Sequence, residues 1–193
     1  MHKLLVLVSG NGSDLQSIID AINNYQLNDC KISVVVSSNP SAYALERAKQ
    51  NNIKTFVVSK KEFNNPSNEI LSIVNKYEID LIVCAGYLGI LQGNILKEFD
   101  HRIINIHPAL LPKYGGKGMY GMNVHQAVIN NHEKESGCTV HYVTDQIDGG
   151  SIIMQSKVQV FENDTPESLS KRVLEQEHIL LPKAIANVLG INK

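Results

Sequence analysis

Asn105 and His107 stand two residues apart at the end of an apolar run, Ile103-Ile104-Asn105-Ile106-His107-Pro108. Side chains alternate along a strand, so the amide and the imidazole share one face while Ile104 and Ile106 point into packing on the other. An imidazole titrates near neutral pH and can hold or move a proton. An amide N–H can donate to a developing oxyanion without titrating. A lone histidine in an apolar strand is more often a satisfied core residue. The shared face sets this one apart, as do the strand halted by Pro108 and the sharp, cis-prone turn that Leu111-Pro112 invites. A third candidate is Asp148 in Ile147-Asp148-Gly149-Gly150, where the glycines free the backbone to aim the carboxylate. Beside His107 it would raise the imidazole pKa and keep the ring protonated and oriented. Alone, the motif reads equally as a plain Asp-Gly turn.

Far upstream, Ser9-Gly10-Asn11-Gly12-Ser13 separates a buried apolar run from a helical pattern. Free backbone N–H groups and the positive end of the helix dipole make that position an anion site, and glycine admits a phosphate to the backbone. No Lys-Ser/Thr follows, which excludes a Walker loop, and the third glycine of the dinucleotide fingerprint is missing. A phosphate monoester on a small substrate fits, as does an ordinary tight turn. Asp14 at the helix start suits the dipole but repels an anion placed close to its side chain. The histidines show no metal-ligand spacing such as HExxH, so no metal is predicted. No serine or cysteine nucleophile motif is present either.

The elements that must position these groups follow from apolar periodicity. Residues 4–8 form a first strand buried on both faces, followed by a helix over 14–22, a strand over 32–36 and a helix over 41–50 capped by Asn39 or Ser41. Next come a short strand over 56–58, a polar loop over 60–67, a helix over 68–77, a strand over 81–85, a short helix over 95–99 and the strand over 103–106. Strands alternating with helices predict βαβ crossovers and an α/β, doubly wound, mostly parallel sheet of Rossmann-like type. After Pro112 a glycine-rich segment, residues 115–121, is predicted as a lid or a long connection. A helix follows over 124–130. Strands over 138–143 and 152–158 then read as a hairpin or as an antiparallel C-terminal addition to the sheet. Thr165-Pro166-Glu167-Ser168 opens a last helix.

The chain has 193 residues, enough for one domain with a proper core, and no linker or repeat divides it. With 18 basic and 19 acidic residues its net charge is −1, against a general nucleic-acid or membrane-surface binder. The three cysteines, Cys30, Cys84 and Cys138, are scattered singly and suit a reducing, cytoplasmic setting. The N-terminal apolar run is too short for a membrane span or a signal peptide.

Three segments in order carry a specific resemblance: Val8-Ser9-Gly10-Asn11-Gly12-Ser13-Asp14-Leu15-Gln16, Asn105-Ile106-His107-Pro108-Ala109-Leu110-Leu111-Pro112, and residues 140–150 ending in Asp148-Gly149-Gly150. The sequence resembles the phosphoribosylglycinamide formyltransferase family of folate-dependent enzymes over nearly its whole length. The Asn-x-His-Pro and Asp-Gly-Gly motifs are common to folate formyltransferases of this fold, and the opening loop marks the glycinamide ribonucleotide branch. The resemblance implies one formyltransferase domain over 1–193, with a phosphoribosyl-binding half (1–100) and a catalytic, folate-contacting half (101–193). It implies 10-formyltetrahydrofolate as co-substrate, phosphoribosylglycinamide as acceptor in purine biosynthesis, no nucleic-acid or membrane partner, and a monomer or homodimer. By motif matching, Asn105, His107 and Asp148 are catalytic. Gly12, Ser13, Asp14, Pro108 and Glu177 bind the phosphoribosylglycinamide, and Leu88, Gly89, Ile90 and Leu91 bind folate together with Asn105 and Asp148.

Several positions depart from the family pattern. Asp14 stands where Asn is common, Gly89 where some members have Arg, and Leu174 where some have a phosphate-facing Lys. Lys171 or Arg172 are stand-ins for that Lys, Lys60 or Lys61 for the group that holds the folate glutamate tail, and Lys113 or Lys117 would reach an anion from the glycine-rich segment. Formyltetrahydrofolate deformylase and methionyl-tRNA formyltransferase share the chemistry but carry an extra N- or C-terminal domain, for which a chain running from first strand to Lys193 leaves no room. A degenerate phosphate-binding module is the non-enzymatic alternative.

Overall fold

The computed structural model describes residues 1–191, so the last two residues of the expected domain lie outside the described residues. The order is β1 (His2–Val8), α1 (Ser13–Asn23), β2 (Cys30–Ser37), α2 (Tyr43–Gln50), β3 (Lys54–Val57), α3 (Pro66–Tyr77), β4 (Leu81–Cys84), α4 (Asn94–Glu98), β5 (Ile103–His107), α5 (Met122–Asn130), β6 (Glu135–Tyr142), β7 (Ile152–Gln159) and α6 (Pro166–Leu189). The strands make one seven-stranded sheet in the order β3-β2-β1-β4-β5-β6-β7. β1 to β5 pair in parallel, β6 adds antiparallel to β5, and β7 adds antiparallel to β6. The doubly wound sheet with its antiparallel extension is therefore as the periodicity predicted.

Alternation along the central strands builds a core on each face. Leu4, Val6 and Val8 of β1 and Ile104 and Ile106 of β5 pack with Leu15 and Ile18 of α1 and Val173 and Leu181 of α6. On the opposite face Leu5 and Leu7 join Ile82, Ile103, Ile70, Ile73 and Ile95. Burying each such side chain is worth about 1.5–3 kcal/mol relative to leaving it in water. Strands that are apolar on both faces are what a parallel sheet sandwiched between helices requires.

Local chemistry shifted two boundaries. Helix α3 starts at Pro66, inside the predicted polar loop, because Asn65 caps it by accepting from the Asn68 N–H and proline suits the first turn. Neither Asn39 nor Ser41 caps α2. Its cap is Ala42, without a side-chain bond, and Asn39 Oδ1 instead accepts from the Ser41 N–H within the preceding turn. The last helix begins as expected: Thr165 and Ser168 form a reciprocal capping box.

From β1 the chain winds outward to β2 and β3, then crosses back to β4 on the other side. The crevice outside the carboxyl ends of strands at such a reversal is where open α/β sheets take ligands. The turn after β1, the segment after β4 and the end of β5 all open there. No helix among the described residues is long and apolar enough to cross a membrane.

Candidate active site

A cavity of about 570 Å³ occupies this crevice, lined by residues from both halves of the chain, Asn105, His107, Asp148, Asp14 and Glu177 among them. At its catalytic end His107 is buried, and its Nε2–H donates to the Tyr114 carbonyl at 2.8 Å. A carbonyl only accepts, so this bond fixes the proton on Nε2 in the neutral ring and leaves Nδ1 facing Asp148 Oδ2 at 3.7 Å. The same Oδ2 accepts the Gly116 N–H at 2.9 Å. The predicted cis bond lies between Leu111 and Pro112. The glycine-rich segment beyond it thus rests on both catalytic candidates.

His141, to which the motifs assigned no role, completes the cluster. In the antiparallel β5–β6 register it sits opposite Asn105. Its Nδ1–H donates to the Tyr142 carbonyl at 2.9 Å, so Nε2 accepts the Asn105 amide N–H at 3.1 Å. Asn105 keeps a second N–H for the cavity. His141 Nε2 also lies 3.6 Å from Asp148 Oδ1. His125 of α5 is buried at the cavity wall, and burial, reinforced by His107, pushes its pKa down to about 4.

The charge state differs from the sequence reading. Burial lowers the His107 pKa, and the opposing pull of Asp148 and of the Tyr114 carbonyl does not reverse it. The free ring is therefore neutral at neutral pH, not protonated, because desolvation outweighs one carboxylate 3.7 Å away. Burial pushes Asp148 up, but His141, the Gly116 N–H and His107 together bring its pKa below the ordinary value. It is ionised.

Asp148 itself has a left-handed backbone (φ 53°). A Cβ on Gly150 would lie 1.8 Å from the Tyr142 carbonyl oxygen, so the tight return into β7 that carries the carboxylate admits only glycine there.

The opposite end of the cavity is built by α1 and α6. Gly12 (φ 77°) turns the chain into α1 so closely against α2 that a Cβ there would meet Ala44 Cβ at 2.5 Å. That turn places Asp14 in the lining of the cavity, which Glu177 of α6 also lines. Both carboxyls are buried. Ser13 lines a separate groove of about 700 Å³ between α1 and α6, with Gln16, Arg47, His178 and Lys183, and Gly12 lines neither space. Pro108, Leu88, Gly89, Ile90 and Leu91 all line the cavity. Leu88, Ile90, Tyr120, Met122 and Ile147 stand exposed around it, an apolar rim.

The basic stand-ins are placed less simply. Arg172 is bound to Asp164 at 2.7 and 2.8 Å and to the Gln159 carbonyl, and neither it nor Lys171 lines the cavity. Lys60 and Lys61 are exposed and outside the lining. Lys113 pairs with Glu133 at 2.9 Å, whereas Lys117 does line the cavity. No group of three or more His, Cys, Asp or Glu among the described residues is placed to hold a metal.

Comparison with known proteins places this geometry. The sequence profile of formyl transferases matches residues 2–185. The chloroplastic phosphoribosylglycinamide formyltransferase of Arabidopsis thaliana is 38% identical over 191 residues, which cover 96% of this chain but 65% of the plant protein. The phosphoribosylglycinamide formyltransferase of Haemophilus influenzae is 40% identical over 188 residues, covering 96% of this chain and 86% of the bacterial one. The crystal structure of glycinamide ribonucleotide transformylase 1 from Symbiobacterium toebii superposes with a TM-score of 0.91 at 34% identity, covering 98% and 89% of the two chains. The chain therefore belongs to the formyl transferase family.

Proposed function

We propose that the chain transfers the formyl group of 10-formyltetrahydrofolate to the amine of 5-phosphoribosylglycinamide, a step of purine biosynthesis. The observation that carries this reading is one cavity with an amide, an imidazole and an ionised carboxylate clustered between an apolar rim and a polar end. The rim and the backbone of residues 88–91 suit a flat pterin, and the α1 N-terminus suits the phosphoribosyl end, with Asp14 in the cavity lining, Gly12 and Ser13 preceding it in the turn, and Glu177 toward the ribose. Pro108, on the same cavity, would contact the phosphoribosylglycinamide.

Addition of the amine lone pair to the formyl carbon moves the carbonyl π electrons onto oxygen. Asn105 donates its second N–H to that oxygen, and His107 stands beside it. The ammonium proton passes to the Asp148–His107 pair: Nδ1 carries a lone pair and faces an ionised carboxylate, so a proton placed there is held by both. Re-forming the carbonyl breaks the bond to the folate nitrogen, which takes that proton. No covalent enzyme intermediate or metal enters.

The test is formyl transfer by the purified chain with and without phosphoribosylglycinamide. Folate turnover that requires the amine, with formylated product, is the expected result. Folate hydrolysis without the amine would make the chain a hydrolase, and absence of turnover in both cases would make it a binding module.

A further inference from the structure

The end of the cavity meant for an anion is lined by acids. Asp14 and Glu177 are 9% and 7% exposed, and neither is bonded to a lysine or arginine among the described residues. Asp14 Oδ1 is buried without a hydrogen-bond partner, and so is His178 Nε2. The two lie 3.9 Å apart, too far for a hydrogen bond. Leu174 fills the neighbouring position on α6. From this geometry, and resting on the function proposed above, we propose that Asp14 and Glu177 act as a one-proton carboxyl pair that determines specificity for the acceptor substrate: the pair takes up a second proton when the substrate's anionic end binds, so affinity for that substrate falls as pH rises.

Two carboxyls buried in one cavity, with the charge of Asp14 felt at Glu177, cannot both ionise freely. Burial pushes Asp14 up to about 6. Burial first, and then the Asp14 charge, push Glu177 well above its ordinary value. Burial and mutual repulsion thus favour a pair that shares one proton and carries one negative charge.

The surrounding groups do not cancel that charge. On α6, burial lowers the His178 pKa, with Asp20 of α1 and Arg47 of α2 pulling in opposite directions, so the ring is neutral. Arg47 is itself bound to Asn11 and Gln16. Cys138 of β6 feels both carboxyls and stays a thiol, pushed up to about 12, chiefly by burial. His125 of α5 is neutral, and Lys117 reaches the cavity only from the glycine-rich segment. A phosphate approaching the α1 N–H groups thus meets one carboxylate. Its binding is completed by one proton from solvent, which turns that carboxylate into a hydrogen-bond donor, with no other bond made or broken.

Isothermal titration of phosphoribosylglycinamide into the full chain, in buffers of different ionisation heat and from about pH 5 to about pH 8, tests this. For the wild type, Kd should rise with pH, approaching tenfold per pH unit above about 6, with close to one proton taken up per ligand. Asp14→Asn should flatten the profile and cut the uptake, and Glu177→Gln, a second isosteric variant, should do the same. The phosphate's own ionisation near pH 6 is common to all three proteins, so their difference isolates the pair. In the ligand-free protein, the infrared carbonyl band of a protonated carboxyl should be present at neutral pH and lost in Glu177→Gln. Binding with the same pH slope in wild type and Asp14→Asn would overturn this proposal alone. No binding at any pH would overturn the proposed function with it.

Discussion

At the scale of single residues, the site turns on which proton sits where. Asp148 pulls the His107 pKa upward against a stronger lowering by burial. Removing its charge while keeping its shape should therefore drop the His107 pKa further. An NMR titration of the imidazole in Asp148→Asn checks this, and an unchanged or higher value would mean that the carboxylate is not felt at the ring. Turnover in that variant and in His107→Ala should fall by about 10²–10⁴, the usual worth of a positioned proton-transfer group, with the fold intact by circular dichroism. The Asn105–His107 pairing on one face was legible because strand alternation needs only the local sequence. The role of His141 was not, since it depends on the register between β5 and β6, a non-local quantity. Nor was the neutral state of His107 legible: sequence supplies the carboxylate but not the depth of burial that outweighs it.

At the scale of elements, the site depends on two turns that the sequence announced through glycine and whose tightness only packing reveals. Gly150 lies two residues after Asp148, where β6 returns into β7. Gly150→Ala forces a methyl against the Tyr142 carbonyl, a backbone atom that cannot step aside as a flexible side chain would. The predicted cost is about 1–3 kcal/mol or more. Turnover should fall as well, because relief of the clash moves the segment that aims the carboxylate. Thermal unfolding and turnover of the variant read the two effects separately, and a wild-type melting temperature would reject the close approach. Helices α1 and α6 were foreseen as elements, since both carry clear apolar periodicity and α6 its capping box. That they would bring Asp14 and Glu177 into one cavity was not, because the two lie more than 150 residues apart and only the wrap of α6 over the sheet joins them. The same wrap displaces Lys171 and Arg172 from the cavity, so their proximity in sequence to Leu174 misled.

At the scale of the whole molecule, the buried ionisable groups of the site set opposing dependences of stability on pH. Asp14, pushed from 3.8 up to about 6, binds its proton more tightly in the folded chain. Its contribution is fully present below about pH 4 and is lost as pH rises through about 6. Glu177 acts in the same direction. His125, pushed from 6.5 down to about 4, binds its proton more tightly in the unfolded chain. Its contribution is present above pH 6.5 and is lost as pH falls toward about 4. The Asp14 and His125 effects are each worth roughly 3 kcal/mol over nearly the same window, so those two largely offset one another in the wild type, and Glu177 adds to the acid side. Asp14→Asn removes the Asp14 share of the acid side, together with the part of the Glu177 shift that the Asp14 charge causes. Relative to the wild type, its stability should climb as pH rises from about 4 to 6, and at pH 7 it should exceed the wild type by up to roughly 3 kcal/mol. Denaturant midpoints at constant m-value across this range provide the measurement. A variant whose profile runs parallel to the wild type at every pH would show that Asp14 ionises in the folded chain as it does in water. The predicted gain also fixes what the acidic end of the cavity costs: a carboxyl kept buried at a binding site lowers stability at neutral pH, which is the trade expected where a group is held for its ligand and not for the fold.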